Sequence, residues 1–251
     1  METNNTWITR LLGNRTTHKE HLYVVVTMAL VTILYELIAA KLIPDFVFST
    51  YEFIGTWAGL VCVWLTRTQN VLCWPWGILS SVMFGFLFAE IGLPGQQWLN
   101  WGYFLVIQVW AWPYWVFGGR DHSELKVSRL TRRGWVMVVA VLVVGTYLVY
   151  QVIDTFAPGS LYPVLDALVV VASVTAQFLL GRKKIESWWL WLGPVNLISI
   201  ILFYTAGAYV VMALYVAFFI HAVFALRSWY GEVGESAIII PAYVQERISD
   251  R

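Results

Sequence analysis

The stretch Val136-Met137-Val138-Val139-Ala140-Val141-Leu142-Val143-Val144 is continuously apolar and carries no side chain suited to chemistry or binding. It lies inside a run, 134–156, long enough to cross a bilayer core, which takes about 20 apolar residues per helix. A crossing this featureless reads as a connector. Working outward, apolar runs lie upstream at 50–66, 71–91 and 97–117, and downstream at 162–181, 187–206 and 208–227. One more, 22–43, precedes them all. The links Thr66 to Asn70, Gly92 to Gln96 and Ala206-Gly207 are short, so the spans they join run antiparallel. Pro44, Pro94, Pro158 and Pro163 fall at span ends, where a missing N–H costs little.

The runs on either side of the connector form two triplets related by an offset of 114 residues. Glu52 meets Asp166, Trp74 meets Trp188, Phe104 meets Phe218 and Trp115 meets Trp229. Loop lengths and hydropathy correspond better than residue identities do. Each triplet carries a basic turn after its first helix, Arg67 in one and Arg182-Lys183-Lys184 in the other. Three is odd, so a triplet that enters on one side leaves on the other, and the connector restores the starting side. The expected fold is an all-α integral membrane protein. Two parallel three-helix bundles are joined by an inverting linker helix (3+1+3), with one extra N-terminal transmembrane helix. Repeats of this kind hold their substrate between them near the midplane. The organisation follows as 1–49, cytoplasmic N-terminus and extra helix; 50–117, first repeat; 118–161, basic loop and linker; 162–229, second repeat; and 230–251, cytoplasmic tail.

Composition agrees. Of 251 residues 59% are hydrophobic and only 12% charged, with a mean hydropathy of +0.68, whereas soluble domains carry about a quarter charged residues. A net charge of +1 leaves no electrostatic footprint for nucleic acid. Threading the chain with its N-terminus in the cytoplasm puts Arg10, Arg15, Lys19, Arg67, Arg120, Lys126, Arg129, Arg132, Arg133, Arg182, Lys183, Lys184, Arg227, Arg247 and Arg251 inside. Only Lys41 falls outside, so fifteen of the 16 Lys and Arg obey the positive-inside rule. Both termini are then cytoplasmic, and the location expected is a bacterial inner membrane. The N-terminus is polar through Glu20 and lacks a small-x-small site, so it does not read as a cleavable signal. Cys62 and Cys73 read as free or buried thiols, with no metal spacing or disulfide framework.

Polar side chains inside spans face the protein interior, because exposing them to lipid is costly. Gln97, Asn100 and Gln108 can share one broad face of the 97–117 helix, which also carries Tyr103. Ser173, Thr175 and Gln177 lie in 162–181. Trp188, Trp191, Asn196, Ser199 and Tyr204 lie in 187–206, with Trp188 and Trp191 three apart on one face. Any one of these could simply hold helices together, a contact worth about 0.6 kcal/mol on average. As a set they suit a ligand. Amides supply donors and acceptors for a carboxamide and for sugar hydroxyls. Indole faces suit a flat ring and gain about 0.5–2 kcal/mol more if it is cationic. Glu36, Asp45, Glu52, Glu90, Asp154 and Asp166 fall toward outer ends, so no carboxylate is placed to couple a proton or sodium gradient. His221 is the single deep titratable group. A retinal protein would need a lysine in the last span, which has none. An enzyme would need ligands or a nucleophile–base set within reach of one another, and His18, His21, His122 and His221 are dispersed.

These residues resemble the PnuC family of nicotinamide riboside transporters, from about Glu52 to Trp229. Trp188-Trp189-Leu190-Trp191 after Glu186-Ser187, then Asn196 and Tyr204, is similar to the family's W-x-x-W motif followed by an Asn and Tyr pair. Asn100, Tyr103 and Gln108 resemble its Asn–Tyr–Gln pattern, and Asp166 with Gln177 its pattern before the basic turn. The resemblance implies a fold similar to the SWEET sugar transporters and uptake of nicotinamide riboside, a vitamin B3 nucleoside, by facilitated diffusion. It also implies trapping by a cytoplasmic riboside kinase, and a homo-oligomer such as a trimer. The substrate-binding residues implied are Trp188, Trp191, Asn196, Tyr204, Asn100, Gln108, Gln177, Tyr103 and Gln97, with no cofactor and no metal. The helix 22–43 and the tail after Gly231, with Ile238-Ile239-Ile240, depart from the family. The alternative is the same fold carrying another vitamin or nucleoside, such as thiamine, itself a cationic aromatic ring.

Overall fold

The structure is a computed structural model and describes residues 7–12, 15–42, 47–90, 97–156, 162–205 and 209–238. Pro44, Asp45, Pro94, Pro158, the Ala206-Gly207 link, Arg247 and Arg251 lie outside the described residues. Every described element longer than one turn is a helix. These are α1 Trp7–Leu12, α2 Arg15–Leu42, α3 Thr50–Arg67, α4 Cys73–Glu90, α5 over 97–117, α6 Arg132–Phe156, α7 Pro163–Gly181, α8 Glu186–Thr205 and α9 Tyr209–Ile238. By length and composition five stretches suffice to cross a membrane: His18–Leu42, Cys73–Glu90, Arg132–Phe156, Pro163–Gly181 and Glu186–Thr205. The remaining apolar runs of the sequence lie in α3, α5 and α9. Two compact units emerge, Met1–Lys126 with Gln177–Lys183, and Val127–Ala176 with Lys184–Arg251.

In the first unit α3 begins where Ser49, in extended backbone, accepts the Glu52 N–H on its hydroxyl at 3.3 Å. This is one half of a capping box, and Glu52 adds negative charge at the positive end of the helix dipole. The helix ends with Gln69 at φ 57°. Gln69 N–H reaches Thr66 O and Asn70 N–H reaches Leu65 O, which satisfies the last carbonyls in the Schellman manner. Asn70 Oδ1 then accepts the Leu72 N–H and starts the next turn. The hairpin closes on Ala58, Val61 and Leu65, all fully buried, and Ser80 ties α4 to α3 by donating to Gly55 O at 2.8 Å. Helix α5 approaches α4 at Gly85, where any Cβ would collide with the Trp101 indole, and Trp101 Nε1 donates to Val82 O.

The N-terminal segment docks on this unit through indoles. Trp57 Nε1 donates to Val25 O and Trp76 Nε1 to His21 Nε2 at 2.7 Å, while Asn70 Nδ2 donates to Glu20. Helix α1 is held by Trp112 Nε1 on Leu11 O and by Arg10 on His122 O. Helix α2 therefore packs on α3 and α4.

In the second unit α6 leaves most of its side chains exposed. Val138 alone among its residues is buried, while Val136, Met137, Val139, Val141, Val143 and Val144 are exposed. It touches α7 where Gly145 meets Val171. The segment before α6 is pinned to the start of α8: Ile185 N–H donates to Ser128 O, Lys184 Nζ to Ser128 Oγ, and Leu130 N–H to Glu186 Oε1 at 2.9 Å.

The 114-residue offset reappears in local geometry. Lys183, the counterpart of Gln69, also has positive φ, 47°, and its N–H reaches Leu180 O as Gln69 N–H reaches Thr66 O. A left-handed conformation costs a non-glycine residue about 1–2 kcal/mol. At Lys183, 1% exposed, there is compensation within the first unit. Its Nζ lies 4.6 Å from the Trp115 ring centroid and pairs with Glu124 at 3.0 Å, a cation–π contact worth about 0.5–2 kcal/mol. Trp115 Nε1 in turn donates to Leu180 O and Gly181 O, the last carbonyls of α7.

Candidate functional site

Four of the candidate residues occupy stretches where the helix widens. In α5, Leu99–Phe104 is π-helical, and the Leu105 N–H bonds Asn100 O five residues back. Asn100 and Tyr103 both lie on it. In α8, Trp191–Leu197 is π-helical with Pro194 inside, and it carries Trp191 and Asn196. Proline lacks the N–H of a regular turn and crowds the carbonyl four residues back, which a wider turn accommodates. Such insertions re-aim side chains and recur at functional sites.

In the first unit Asn100 and Gln108 are buried, while Gln97, Tyr103 and Gln177 are half-buried. Gln108 donates Nε2 to Ser81 Oγ at 2.9 Å. Its Oε1 is buried and has no partner in the chain. Lower on the same face of α4, Trp74 is 1% exposed and packs edge-on against Trp115, with 4.9 Å between centroids and 88° between planes. The Trp74 indole N–H is also unpartnered.

The second unit repeats this arrangement. Trp188 packs edge-on against Trp229 at 5.5 Å and 84°, and against His221 at 6.3 Å. The imidazole thus serves as an aromatic neighbour of the tryptophan. Trp188 Nε1 is buried and unpartnered. Asn196 and Ser199 are buried and Trp191 is half-buried. Tyr204 is 62% exposed at the far end of α8, beside the exposed Ile201, and does not join the buried set.

The hydroxyls of α7 separate from the amides and indoles. Ser173 donates to Val169 O and Thr175 to Val171 O, each at 2.7 Å and four residues back along its own helix. A hydroxyl bonded to its own helix is satisfied without a ligand. Among the candidate residues and the matching Trp74, the buried unpartnered atoms are the Trp74 and Trp188 indole N–H groups and the Gln108 carbonyl. A buried polar group left unpaired costs about 1–3 kcal/mol.

The sequence reading missed Glu186. Its side chain is 6% exposed, Oε1 is engaged with Leu130, and Oε2 is buried without a partner. Ser187 Oγ, next to it, is likewise buried and unpartnered. The signal was present: a carboxylate stands directly before the Trp188–Trp191 motif, but within a basic turn that reads as solvated. Trp74 was visible as the counterpart of Trp188 under the repeat.

Comparison with known proteins gives this geometry a family. Residues 49–231 match the family model described as nicotinamide mononucleotide transporter, so α1 and α2 precede the matched region. The nicotinamide riboside transporter PnuC of Escherichia coli (strain K12) is 25% identical over 212 residues, covering 74% of this chain and 87% of its own length. Its namesake in Neisseria mucosa is 27% identical over 202 residues, covering 73% and 74%. The riboflavin/roseoflavin transporter RibM of Streptomyces davaonensis is 25% identical over 185 residues, covering 71% and 84%. The crystal structure of the vitamin B3 transporter PnuC is similar in fold, with a TM-score of 0.62 at 23% identity over 93% of this chain and 99% of that one. This chain, all-helical and with several helices apt to cross a membrane, belongs to the nicotinamide mononucleotide transporter family.

Proposed function

We propose that this protein carries nicotinamide riboside across the bacterial inner membrane by facilitated diffusion, and that phosphorylation by a cytoplasmic kinase traps the nucleoside. The observation that carries this reading is the set of buried, unpartnered indole and amide atoms, Trp188 Nε1 and Gln108 Oε1 foremost, in a chain whose relatives are named nicotinamide riboside transporters. Nicotinamide riboside presents a pyridinium ring, a carboxamide and a ribose. Trp188 and Trp191 contact the ring. Asn196, Asn100 and Gln108 bond the amide and hydroxyls, while Gln97, Tyr103, Gln177 and Tyr204 line the approach. The architecture is 3+1+3: α3–α5 and α7–α9 are the repeats, α6 the inverting linker, α2 an additional span, and both termini are cytoplasmic. The matching left-handed turns at Gln69 and Lys183 and the matching tryptophan pairs support the repeat. The protein works as a homo-oligomer such as a trimer.

Uptake of labelled nicotinamide riboside into proteoliposomes tests the reading. Equilibration without accumulation, insensitive to proton and sodium gradients, is the expected result. Gradient-driven accumulation would overturn facilitated diffusion. The similarity to a riboflavin/roseoflavin transporter favours one rival, in which the flat guest is a neutral flavin. A binding screen of nicotinamide riboside, nicotinamide, thiamine and riboflavin separates these, and a preference for riboflavin or thiamine would replace the nicotinamide assignment.

A further inference from the structure

Gly77 lies one turn above Trp74 on α4, and a methyl group at this position would sit 1.9 Å from Gln108 Oε1 and 2.9 Å from Cys62 Sγ. Separations below about 3 Å do not occur between a real Cβ and a neighbouring heavy atom, so the absent side chain is the space that the Gln108 carboxamide fills. Four residues further along, and so on the same face, Ser81 accepts the Gln108 Nε2–H at 2.9 Å. Together the two residues fix the place of the amide, the serine hydroxyl being able to accept from one end of it or donate to the other. With Nε2 committed to Ser81, the group left over is the carbonyl Oε1, buried and unpartnered. Helix α4 has another tight glycine, Gly85, but a methyl there would meet the Trp101 indole, whose N–H is already bonded to Val82 O. That contact is one of packing alone.

We propose that Gly77 and Ser81 are positioning residues for substrate recognition: they hold Gln108 so that the end of its carboxamide not bonded to Ser81, Oε1 in this structure, is left for a hydrogen-bonding group of the substrate, such as a primary carboxamide or a sugar hydroxyl. This rests on Gln108 contacting the substrate and explains why a glycine and a serine, neither a ligand itself, govern which ligand is taken. By the 114-residue offset Gly77 corresponds to Trp191 and Gln108 to Ala222. The second repeat thus places a large ring where the first has none, and a methyl group where the first has an amide.

The test is a pair of double-mutant cycles on the purified full chain, read by titration with nicotinamide riboside. Gly77→Ala and Gln108→Ala each weaken binding about tenfold, and Ser81→Ala weakens it severalfold, because each removes or misaims one charge-free hydrogen bond. In the Gln108→Ala background neither Gly77→Ala nor Ser81→Ala weakens binding further, since the amide they position is gone. Gly85→Ala serves as the packing control, and its effect on binding is the same in both backgrounds. Losses at Gly77 or Ser81 that multiply with that at Gln108 overturn the proposal, as does unaltered binding by Gly77→Ala or Ser81→Ala. If Gly77→Ala does not fold, the Ser81 cycle decides by the same criterion. Unaltered binding by Gln108→Ala instead removes Gln108 from the substrate contacts, a failure of the functional reading distinct from failure of its positioning.

Discussion

Trp74 meets Trp115 edge-on in the first unit, and Trp188 meets Trp229 edge-on in the second, at 88° and 84°. The turns that precede these tryptophans share a left-handed residue, Gln69 and Lys183. One helical turn further along, the likeness ends. The first unit sets Gly77 beneath the amide of Gln108, and the second has Trp191 and Ala222 at the positions 114 residues on. The π-helical stretch lies in α5 of the first unit and in α8 of the second. The difference teaches that what the two units share is a frame, a turn and a pair of crossed indoles. They differ in the parts holding amides and open ring faces.

The largest expected effect falls on the frame. Trp115→Ala and Trp229→Ala should each cost about 3–5 kcal/mol, as deletion of a fully buried tryptophan does, visible as lowered melting temperatures in detergent. A large loss from one and none from the other would break the equivalence. Trp115→Phe should cost less than Trp115→Ala, because it keeps the ring contacts and gives up the bonds to Leu180 and Gly181.

Next in size is binding. Trp188→Ala and Asn196→Ala should each weaken nicotinamide riboside binding roughly tenfold or more, about 1.4 kcal/mol, in protein that remains folded. Isothermal titration giving wild-type affinity for either variant would remove that residue from the site. Tyr204→Ala, in an exposed side chain, should have the smallest effect among the residues of α8.

The smallest effect probes the two turns. Gln69→Gly should stabilise by about 0.5–1 kcal/mol, since glycine adopts positive φ without strain and loses part of that gain to chain entropy. Lys183→Gly should show no gain, because it also removes the ammonium from the Trp115 face and from Glu124. Equal shifts in the two melting curves would mean that the Lys183 contacts contribute nothing.

The helices were legible because apolar length is a one-dimensional property. Trp188 and Asn196 could be singled out because polar or indole groups inside an apolar run need a reason to be there. Four features were not legible. The π-helical stretches require one extra residue in a turn, which leaves composition unchanged, and Pro194 is a trace of the second stretch alone. Lys183 sits in a basic run that reads as solvated, and only the fold brings Trp115 over it. Glu186 looks like an ordinary cytoplasmic carboxylate until Leu130 is seen bonded to it. The tie of Trp76 to His21 joins residues too far apart in the chain for any local pattern to connect them.

The docking of α2 bears on how the protein can be trimmed. Cutting back to the region shared with relatives, 49–231, would strip Trp57 and Trp76 of the acceptors that Val25 and His21 provide. Hydrocarbon offers an indole N–H no replacement. What looks like a dispensable appendage by alignment is, for this chain, the outer wall of its first hairpin, and a shortened version should be judged as a different molecule rather than a minimal one.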